Sequence, residues 1–136
     1  MELEETEKEA ERLRNAAIRI TMMPRDTNAH GTVFGGIILS YIDVAGGVEA
    51  VRHTHHDRFV TVAMKEVIFL EPVFIGDLVS FYAETVRVGS TSITVKVVVE
   101  AERFGSYGQS VRVTEAHVTY VAINQCREKV KIGNGE

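Results

Sequence analysis

The most apolar stretch of the chain runs from Gly31 to Ile42, where no side chain carries a charge. Charge returns at Asp43. The pattern over 29–52 predicts a loop that enters one long buried helix, because a helix that is nearly apolar all round is usually buried. Its uncharged part is too short to cross a membrane. A broad apolar stripe follows the helical period and ends at a polar residue, with the members Ile38, Tyr41, Ile42, Ala45, Val48 and Glu49.

A second face of this helix contains only small residues and one carboxylate. Its members step by four, three and four positions and therefore share one side: Gly36, Ser40, Asp43 and Gly47. Glycine inside a helix costs about 1 kcal/mol relative to alanine. A backbone, a second subunit or a ligand is therefore expected to approach closely. Gly35 and Gly36 fall where the helix should begin, and N–H groups at a helix N-terminus can bind an anion or a polarised carbonyl.

Five segments have the composition or the alternation of β-strands: 16–23, 59–70, 78–88, 93–101 and 111–123. Turn sequences separate them, and Gly89–Ser92 is typical of a tight hairpin. In the second segment one face contains Val60, Val62, Met64 and Ile68. Glu66 interrupts that face, which predicts a bulge or a subunit contact at this position.

The order of the segments is strand, helix and then four strands with short connections, which predicts that consecutive strands are antiparallel. One helix cannot cover both faces of such a sheet, so the sheet should wrap around the helix and pack its other surface on a partner. The expected organisation is a charged N-terminal extension at 1–14, one α+β domain at 15–124 and a polar, loosely held tail at 125–136.

Composition narrows the possible functions mainly by exclusion. The 136 residues suffice for one domain with one core. A net charge of −4 without a basic block disfavours nucleic acid as a partner. The single cysteine, Cys126, rules out an intrachain disulfide and disfavours a cysteine-rich metal site. The acidic opening M-E-L-E-E-T-E-K-E-A is unlike a secretory signal, so a cytoplasmic protein without a membrane partner is expected.

The segment M-P-R-D-T-N-A-H-G-T-V-F-G-G-I-I-L-S-Y-I-D-V-A-G-G resembles the opening of the YciA-type acyl-CoA thioesterases, the group that includes the brain-type acyl-CoA hydrolases. F-V-T-V-A-M-K-E-V-I-F-L-E-P-V-F-I-G-D and G-S-T-S-I-T-V-K-V-V-V-E resemble later segments of that family, in the same order. The most specific part is T-N-x-x-G-x-x-F-G-G followed by the helical aspartate. The resemblance implies a hot-dog fold, in which a five-stranded antiparallel sheet wraps one central helix.

The resemblance also implies an activity. Enzymes of this family hydrolyse acyl-CoA to free CoA and a carboxylic acid without a metal or another cofactor, and they often assemble as trimers of dimers. The family's helical acid falls on Asp43 and its loop asparagine on Asn28. This sequence departs from many relatives at His30. At Ser90 some relatives carry a basic residue, so contacts to the CoA phosphates are in question there.

Each candidate site residue has a functional and a structural interpretation. Asp43 would be the general base or the nucleophile, or else a structural acid paired with an arginine. Asn28 would position the thioester or the water, or else brace a turn. Gly35 and Gly36 would donate N–H groups to the developing oxyanion, a role that is compatible with helix packing. Thr61 would line the site opposite Asp43, or else reflect only strand propensity.

Other polar residues receive lesser roles. His53, His55 and His56 resemble a metal cluster, but we expect cationic side chains at the C-terminal end of the helix instead. His117 is expected to be a hydrogen-bonded sheet residue, and Cys126 has no nearby base to make it a nucleophile. The hairpin would contact CoA or serve only as a turn, with the residues Gly89, Ser90, Thr91 and Ser92.

Two further functions stay open at this point. A hot-dog hydratase or dehydratase would require a histidine paired with an acid, and His30 is the only histidine close to the motif. A non-catalytic acyl-CoA-binding sensor would keep a tunnel between subunits for the acyl chain and pantetheine, but it would not require Asp43.

Overall fold

The computed structural model describes residues 15–133, and the charged extension expected at 1–14 lies outside them. A short 3₁₀ turn at Pro24–Asp26 follows the first strand. The regular elements are β1 (Ile18–Thr21), α1 (Gly35–Thr54), β2 (Phe59–Phe69), β3 (Leu78–Val88), β4 (Ser92–Glu102) and β5 (Ser110–Ala122). The helix begins at the glycine pair, as the sequence predicts.

The five strands form one antiparallel sheet in the order β1-β3-β4-β5-β2. Strands β3, β4 and β5 are a meander, and the predicted hairpin joins the first two, with the Gly89 N–H donating to the Ser92 carbonyl at 2.7 Å. The antiparallel arrangement is as predicted, but β2 and β3, which follow each other in the chain, are not neighbours in the sheet. Because β1 pairs with β3 and β2 pairs with β5, the connection 70–77 must cross from one edge of the sheet towards the other.

The core lies between α1 and the inner face of the sheet. The alternation predicted for β4 is confirmed, since every second residue is fully buried: Ile93, Val95, Val97, Val99 and Ala101. Val79 and Phe81 on β3 are also fully buried, and the helix contributes Ile38, Ile42 and Ala45 to the same layer. Removal of this apolar surface from water is the main force that holds the helix on the sheet.

The helix is less buried than its composition predicts. A sheet covers only one side of a helix, and a row of valines on the other side stays exposed: Val44, Val48 and Val51. The prediction that Val48 belongs to the buried stripe is wrong, because Val48 is 37 % exposed. The apolar residues of this helix therefore exceed what the described chain can cover.

Strand β2 has the irregularity predicted at Glu66, whose φ of 54° lies in the left-handed region. The pairing with β5 shifts register between Lys65 and Ile68 and also between Thr61 and Ala63. Each bulge adds one residue and so reverses which side chains face inward. The predicted face is wrong for this reason, and the residues that pack on the core are Phe59, Met64 and Val67.

The described part of the tail is held by hydrogen bonds, contrary to the expectation of a loose segment. Val130 N–H donates to the Ala122 carbonyl at 3.0 Å, and Ile132 N–H donates to the Ser90 carbonyl at 2.9 Å. Ile123 and Lys129 form an isolated bridge. The tail, whose sequence is polar and shows no regular pattern, thereby supplies hydrogen-bond donors to backbone carbonyls at the end of β5 and at the hairpin.

The helix approaches the sheet closely where Gly46 faces Tyr120 on β5. A Cβ atom at Gly46 would lie 2.3 Å from the Tyr120 hydroxyl oxygen, so only glycine allows this approach. The hydroxyl donates a hydrogen bond of 2.6 Å to the backbone carbonyl of Asp43. Gly46 is therefore the glycine that fixes the seat of the helix on the last strand.

Replacing Gly46 with alanine is expected to lower the free energy of unfolding by about 1–3 kcal/mol, the usual range for overpacking. Denaturant unfolding of Gly46→Ala measures this loss. In a Tyr120→Phe background the same substitution should cost less, because the oxygen that the new methyl group meets is gone. An equal cost in both backgrounds would contradict the contact as the cause.

Candidate active site

The helical acid and the strand threonine meet, as the sequence analysis expects. Asp43 is partly buried in the middle of α1, and the Thr61 hydroxyl on β2 donates to its Oδ1 atom at 2.6 Å. Within residues 15–133 no arginine, lysine or histidine forms an ion pair with Asp43. The arginine-paired interpretation therefore has no support in the described chain. Oδ2 of the same carboxylate is left for another partner.

Tyr120 supports this carboxylate from the protein side. Its ring is buried, and its hydroxyl donates to the backbone carbonyl of Asp43 close to the carboxylate of the same residue. Burial raises the pKa of the Tyr120 hydroxyl, and the nearby negative charge of Asp43 raises it further. Tyr120 thus stays a neutral donor that fixes the helix turn bearing the acid. Tyr120 is not among the residues predicted from the sequence, although it belongs to the alternating inner face of β5.

The N-terminus of α1 presents unused donors. Phe34 is the N-cap residue and offers no side-chain hydrogen bond. Between residues 15 and 133, the N–H groups of Gly35 and Gly36 donate to no acceptor. The space beside Gly36 is open, with no atom within 4 Å of where a Cβ would stand. The arrangement can accept an anionic or polarised oxygen, as the glycine pair predicts.

Asn28 organises the loop that leads into this N-terminus. Its Oδ1 accepts from the backbone N–H of His30 at 2.8 Å and of Thr32 at 3.3 Å, and its Nδ2 donates to the Thr32 hydroxyl at 2.8 Å. Gly31 closes the loop with a φ of +82°. The turn interpretation of Asn28 is therefore observed. The amide nitrogen carries two N–H groups, and only one of them donates to an acceptor among residues 15–133, so the other can serve a ligand.

A cavity of about 430 Å³ opens beside the helix N-terminus. Its walls come from the first turn of α1, from the end of β2 and the connection that follows it, and from β5; they include Gly35, Ile38, Phe69, Val73 and Thr114. This space, called the N-terminal cavity below, has a mostly apolar lining and the size of a small-molecule site.

The candidate residues fall into two clusters at opposite ends of the sheet. Thr61 pairs with Tyr120, and Phe69 pairs with Thr114, six residues away on β5, which is about 20 Å along a strand. The hairpin Gly89–Ser92 lies at the Thr61 end, because Ser92 pairs with Val121. The acid and the hairpin are therefore at one end, and the helix N-terminus and its cavity are at the other.

His53, His55 and His56 lie at the C-terminal end of the helix, as predicted, but the contacts of one of them do not fit a cation. His53 lies 3.8 Å from Glu49, and His55 ends the helix with a φ of 62°. His56 is buried, and its Nε2 lies 3.1 Å from the Ile123 carbonyl while its Nδ1 accepts from Gly133 N–H at 3.3 Å. These contacts fit the neutral imidazole, so the cationic role is wrong for His56.

The remaining candidates have structural surroundings. Nδ1 of His117 lies 3.3 Å from a carboxylate oxygen of Glu66, the bulge residue of β2. Cys126 is exposed in a turn in which its N–H donates to the Asn124 side chain at 2.9 Å. From residue 15 to residue 133, no three histidine, cysteine or acidic side chains come together as a possible metal site. In the same part of the chain no helix has the length and apolar character required to span a membrane.

Tyr120 should leave a signature in alkaline stability. Its pKa is raised in the folded state, so its contribution is fully present below the ordinary value of about 10 and is lost as the pH rises towards the folded pKa, at up to ~1.4 kcal/mol per pH unit. Tyr120→Phe should remove this part of the pH dependence in urea unfolding between about pH 9 and pH 11. The exposed Tyr107 gives the control Tyr107→Phe, and equal slopes for both variants would contradict the assignment.

Comparison with known proteins agrees with this geometry. The family model described as thioesterase superfamily matches residues 30–105. The acyl-CoA thioester hydrolase YciA of Salmonella typhimurium is 40 % identical over 109 residues, which cover 79 % of this chain and 81 % of that protein.

Two solved structures have the same fold. A hexameric hotdog fold thioesterase of Campylobacter jejuni is 46 % identical, with a TM-score of 0.80 over 87 % of this chain and 90 % of that one. A hexameric thioesterase of Yersinia pestis is 36 % identical, with a TM-score of 0.81 over 89 % and 97 %. The hot-dog fold implied by the resemblance is confirmed. The chain belongs to the thioesterase superfamily and, within it, to the family of the YciA acyl-CoA thioester hydrolases.

Proposed function

We propose that this protein hydrolyses acyl-CoA thioesters to free CoA and a carboxylic acid. The observation that carries the proposal is the Asp43 carboxylate, which has no cationic partner in the described chain and is oriented by Thr61 at 2.6 Å. It lies on the helix of a chain whose family relatives are named acyl-CoA thioester hydrolases. Family membership supplies the reaction class, and the site supplies the residue that performs it.

Asp43 supplies the base or the nucleophile. Thr61 holds Oδ1, so Oδ2 is free to take a proton from a water molecule or to attack the thioester carbon. Tyr120 fixes the backbone at the same residue, which keeps the carboxylate in one position relative to the sheet. A preorganised group of this kind avoids the cost of reorientation when the substrate binds.

Gly35 and Gly36 stabilise the oxyanion. Their N–H groups and the positive end of the helix dipole point at the position that a thioester oxygen would occupy. Such donors are often the largest single contribution in acyl transfer. Asn28 adds its remaining amide N–H to the same end of the helix, consistent with the role that the family resemblance gives it.

A complete site requires two copies of the chain. Gly35 and Asp43 are eight residues apart, which is about 12 Å along a helix. Reacting atoms must come within about 3.5 Å of each other, and one intervening water adds only about 3 Å. Asp43 and the oxyanion donors of one chain therefore cannot act on the same carbonyl. Two antiparallel helices would place each acid against the N-terminus of its partner and so form two equal sites.

The exposed side of the helix fits this arrangement. It combines the valines Val44, Val48 and Val51 with the small residues Ser40 and Gly47. Small residues allow close approach of two helices, and the valines supply apolar area that is otherwise left in water. The thioesterases of Campylobacter jejuni and Yersinia pestis are hexameric, so three such dimers are the assembly that we propose.

The cofactor and the CoA contacts follow from the same proposal. The reaction needs only water and the residues described, and no metal is assigned a part in it. The Gly89–Ser92 hairpin is proposed to contact the CoA moiety, because it lies at the Asp43 end of the sheet. Its carbonyls at Ser90 and Thr91 are used within the fold, which leaves the side chains of Ser90 and Thr91 for the ligand. The cytoplasmic location stays a prediction from sequence.

Asp43→Asn is expected to lower the rate of free-thiol release from acyl-CoA by about 10²–10⁴, the usual worth of an acid–base group. The chain offers a matched control in Glu49, a second helical acid that accepts a 2.7 Å hydrogen bond from a threonine hydroxyl, that of Thr85. Glu49→Gln should keep the wild-type rate.

The two variants would also separate the rival functions. Wild-type protein that binds acyl-CoA in calorimetry but releases no thiol from any chain length would contradict hydrolysis and favour the sensor. Equal losses in Asp43→Asn and Glu49→Gln would mean that the helix, and not the carboxylate of Asp43, is what matters.

A further inference from the structure

The chain turns back after β5 and runs across the end of the sheet. Asn124 closes the turn, and its side-chain Oδ1 accepts from the backbone N–H of Cys126 at 2.9 Å and of Glu128 at 3.0 Å. The returning segment 129–132, called the tail strap below, bonds first to the end of β5 and then to the hairpin Gly89–Ser92. The tail strap therefore lies where the end of β5 and the hairpin come together.

The side chains of the tail strap alternate between two sides. Val130 and Ile132 are partly buried, and Ile132 packs against the core. Lys129 and Lys131 are exposed. Because alternate residues of an extended chain point to the same side, the two lysines project together into solvent, with Cα atoms about 7 Å apart. Two like charges at this distance repel each other, and an anion bound between them would relieve the repulsion.

The backbone of the tail strap is held in place by hydrogen bonds. The N–H groups of Val130 and Ile132, on either side of Lys131, donate to carbonyl groups of β5 and of the hairpin at 3.0 and 2.9 Å. The next residue, Gly133, donates its N–H to Nδ1 of the buried His56 at 3.3 Å. Binding of an anion to the two lysines therefore requires only that their side chains become ordered, since the backbone that carries them is already positioned.

Two arginines lie beside these lysines. Arg127 belongs to the turn that leads into the tail strap, and the carbonyl of Arg58, just before β2, accepts from the Ile123 N–H at the end of β5 at 3.0 Å. Arg58, Arg127, Lys129 and Lys131, called the basic cluster below, are all exposed. In the part of the chain that the structure describes, residues 15–133, none of the four forms an ion pair.

The basic cluster runs against the charge of the whole chain. The acids adjacent to it in sequence are Asp57 and Glu128, so basic residues are in excess here, whereas the chain as a whole has 15 basic and 19 acidic residues. The hairpin Gly89–Ser92 contributes no charged side chain. A local excess of positive charge on an acidic protein attracts anions to this end of the sheet.

The basic cluster is at the Asp43 end of the sheet but not at the acid itself. Tyr120, whose hydroxyl contacts the carbonyl of Asp43, pairs with Thr61. Ala122, which accepts the hydrogen bond from Val130 N–H, lies two residues and about 7 Å further along β5. A ligand whose reacting bond is at Asp43 therefore reaches the tail strap only with a part of the molecule that is many bonds away.

We propose that Lys129 and Lys131 bind the phosphates of CoA and that Arg58 and Arg127 add to the positive potential around them. The proposal rests on the hydrolase function above, because it takes acyl-CoA as the ligand. CoA carries a diphosphate and a ribose 3′-phosphate, and the pantetheine arm separates these charges from the thioester. The separation matches that between the basic cluster and Asp43. Lysine binds phosphate as a point charge, without a fixed fork geometry, which suits exposed and flexible side chains.

The basic cluster would act on substrate binding and not on the chemical step. A contact to a remote phosphate is equally strong in the ground state and in the transition state, so its loss raises KM and leaves kcat unchanged. The side chains are exposed, so added salt should weaken the contact.

The test removes the charge from the protein and, separately, from the substrate. Wild type and the double variant Lys129→Gln with Lys131→Gln are assayed by thiol release from butyryl-CoA and from butyryl-pantetheine, which has the same thioester but no phosphate. At low salt the double variant is expected to raise KM for butyryl-CoA by about five- to thirtyfold with an unchanged kcat. Its kcat/KM for butyryl-pantetheine should equal that of wild type.

Two further variants control for the change in charge. Lys129→Arg with Lys131→Arg keeps both positive charges and should restore the wild-type KM for butyryl-CoA. Lys65→Gln with Lys96→Gln removes two lysines from the outer face of the sheet, where both pair with His117 and face away from the helix. This variant loses the same net charge and should also keep the wild-type KM.

The outcomes separate this proposal from the function on which it rests. An unchanged KM for butyryl-CoA in Lys129→Gln with Lys131→Gln would overturn the phosphate contact and leave the hydrolase intact. Equal losses with butyryl-CoA and butyryl-pantetheine, or equal losses in the Lys65 and Lys96 control, would overturn it as well. If wild type hydrolyses neither substrate, the hydrolase function fails by itself, and calorimetry with free CoA decides the contact: weaker binding to the variant supports it, and equal binding overturns it.

Discussion

The hydrogen bond from Tyr120 to the carbonyl of Asp43 is the contact on which the site depends. It ties the middle of the helix to the last strand, and it exists only because Gly46 lets the ring approach. Once the helix is seated there, Thr61 on the neighbouring strand is within 2.6 Å of the acid. Two hydroxyl groups therefore fix the position of the carboxylate: that of Tyr120 binds the backbone carbonyl of Asp43, and that of Thr61 binds its side chain. The contacts that position the helix on the sheet are thus the same ones that position the carboxylate.

The same seat separates the site into halves. A straight helix keeps its N-terminal donors about 12 Å from an acid eight residues later, and no side-chain adjustment removes that distance. The helix also has an exposed face of valines and small residues, which a second copy of the chain can cover. In the dimer proposed above, oligomerisation would complete the active site as well as cover this apolar face. The hexameric relatives agree with a chain that is not self-sufficient.

Local patterns predicted the parts of the fold that depend on local chemistry. The glycine pair marked the start of α1, and the alternation of Ile93 to Ala101 marked the buried face of β4. The family resemblance indicated Asp43 and Asn28 as site residues, and the position of Thr61 on the second strand placed it opposite Asp43, where the two residues meet. Tyr120 was missed because its significance lies in its contact with Asp43 on the helix, 77 residues away in sequence. The predicted inward and outward faces of β2 were wrong because a bulge changes the alternation of side chains without changing the composition. The pairing of β2 with β5 was not predicted because it depends on where the chain leaves the helix and enters β2.

The most direct test of the account is complementation between two inactive chains. Asp43→Asn removes the acid, and Asn28→Asp keeps the loop-bracing oxygen of Asn28 but replaces its amide donor. Each variant alone should be nearly inactive in thiol release. Co-expressed chains that pair at random should regain about a quarter of wild-type activity, because half the dimers are mixed and each mixed dimer has one intact site. The double variant co-expressed with Asp43→Asn is the control and should regain nothing. Mixtures as inactive as their components would contradict a site shared between two chains.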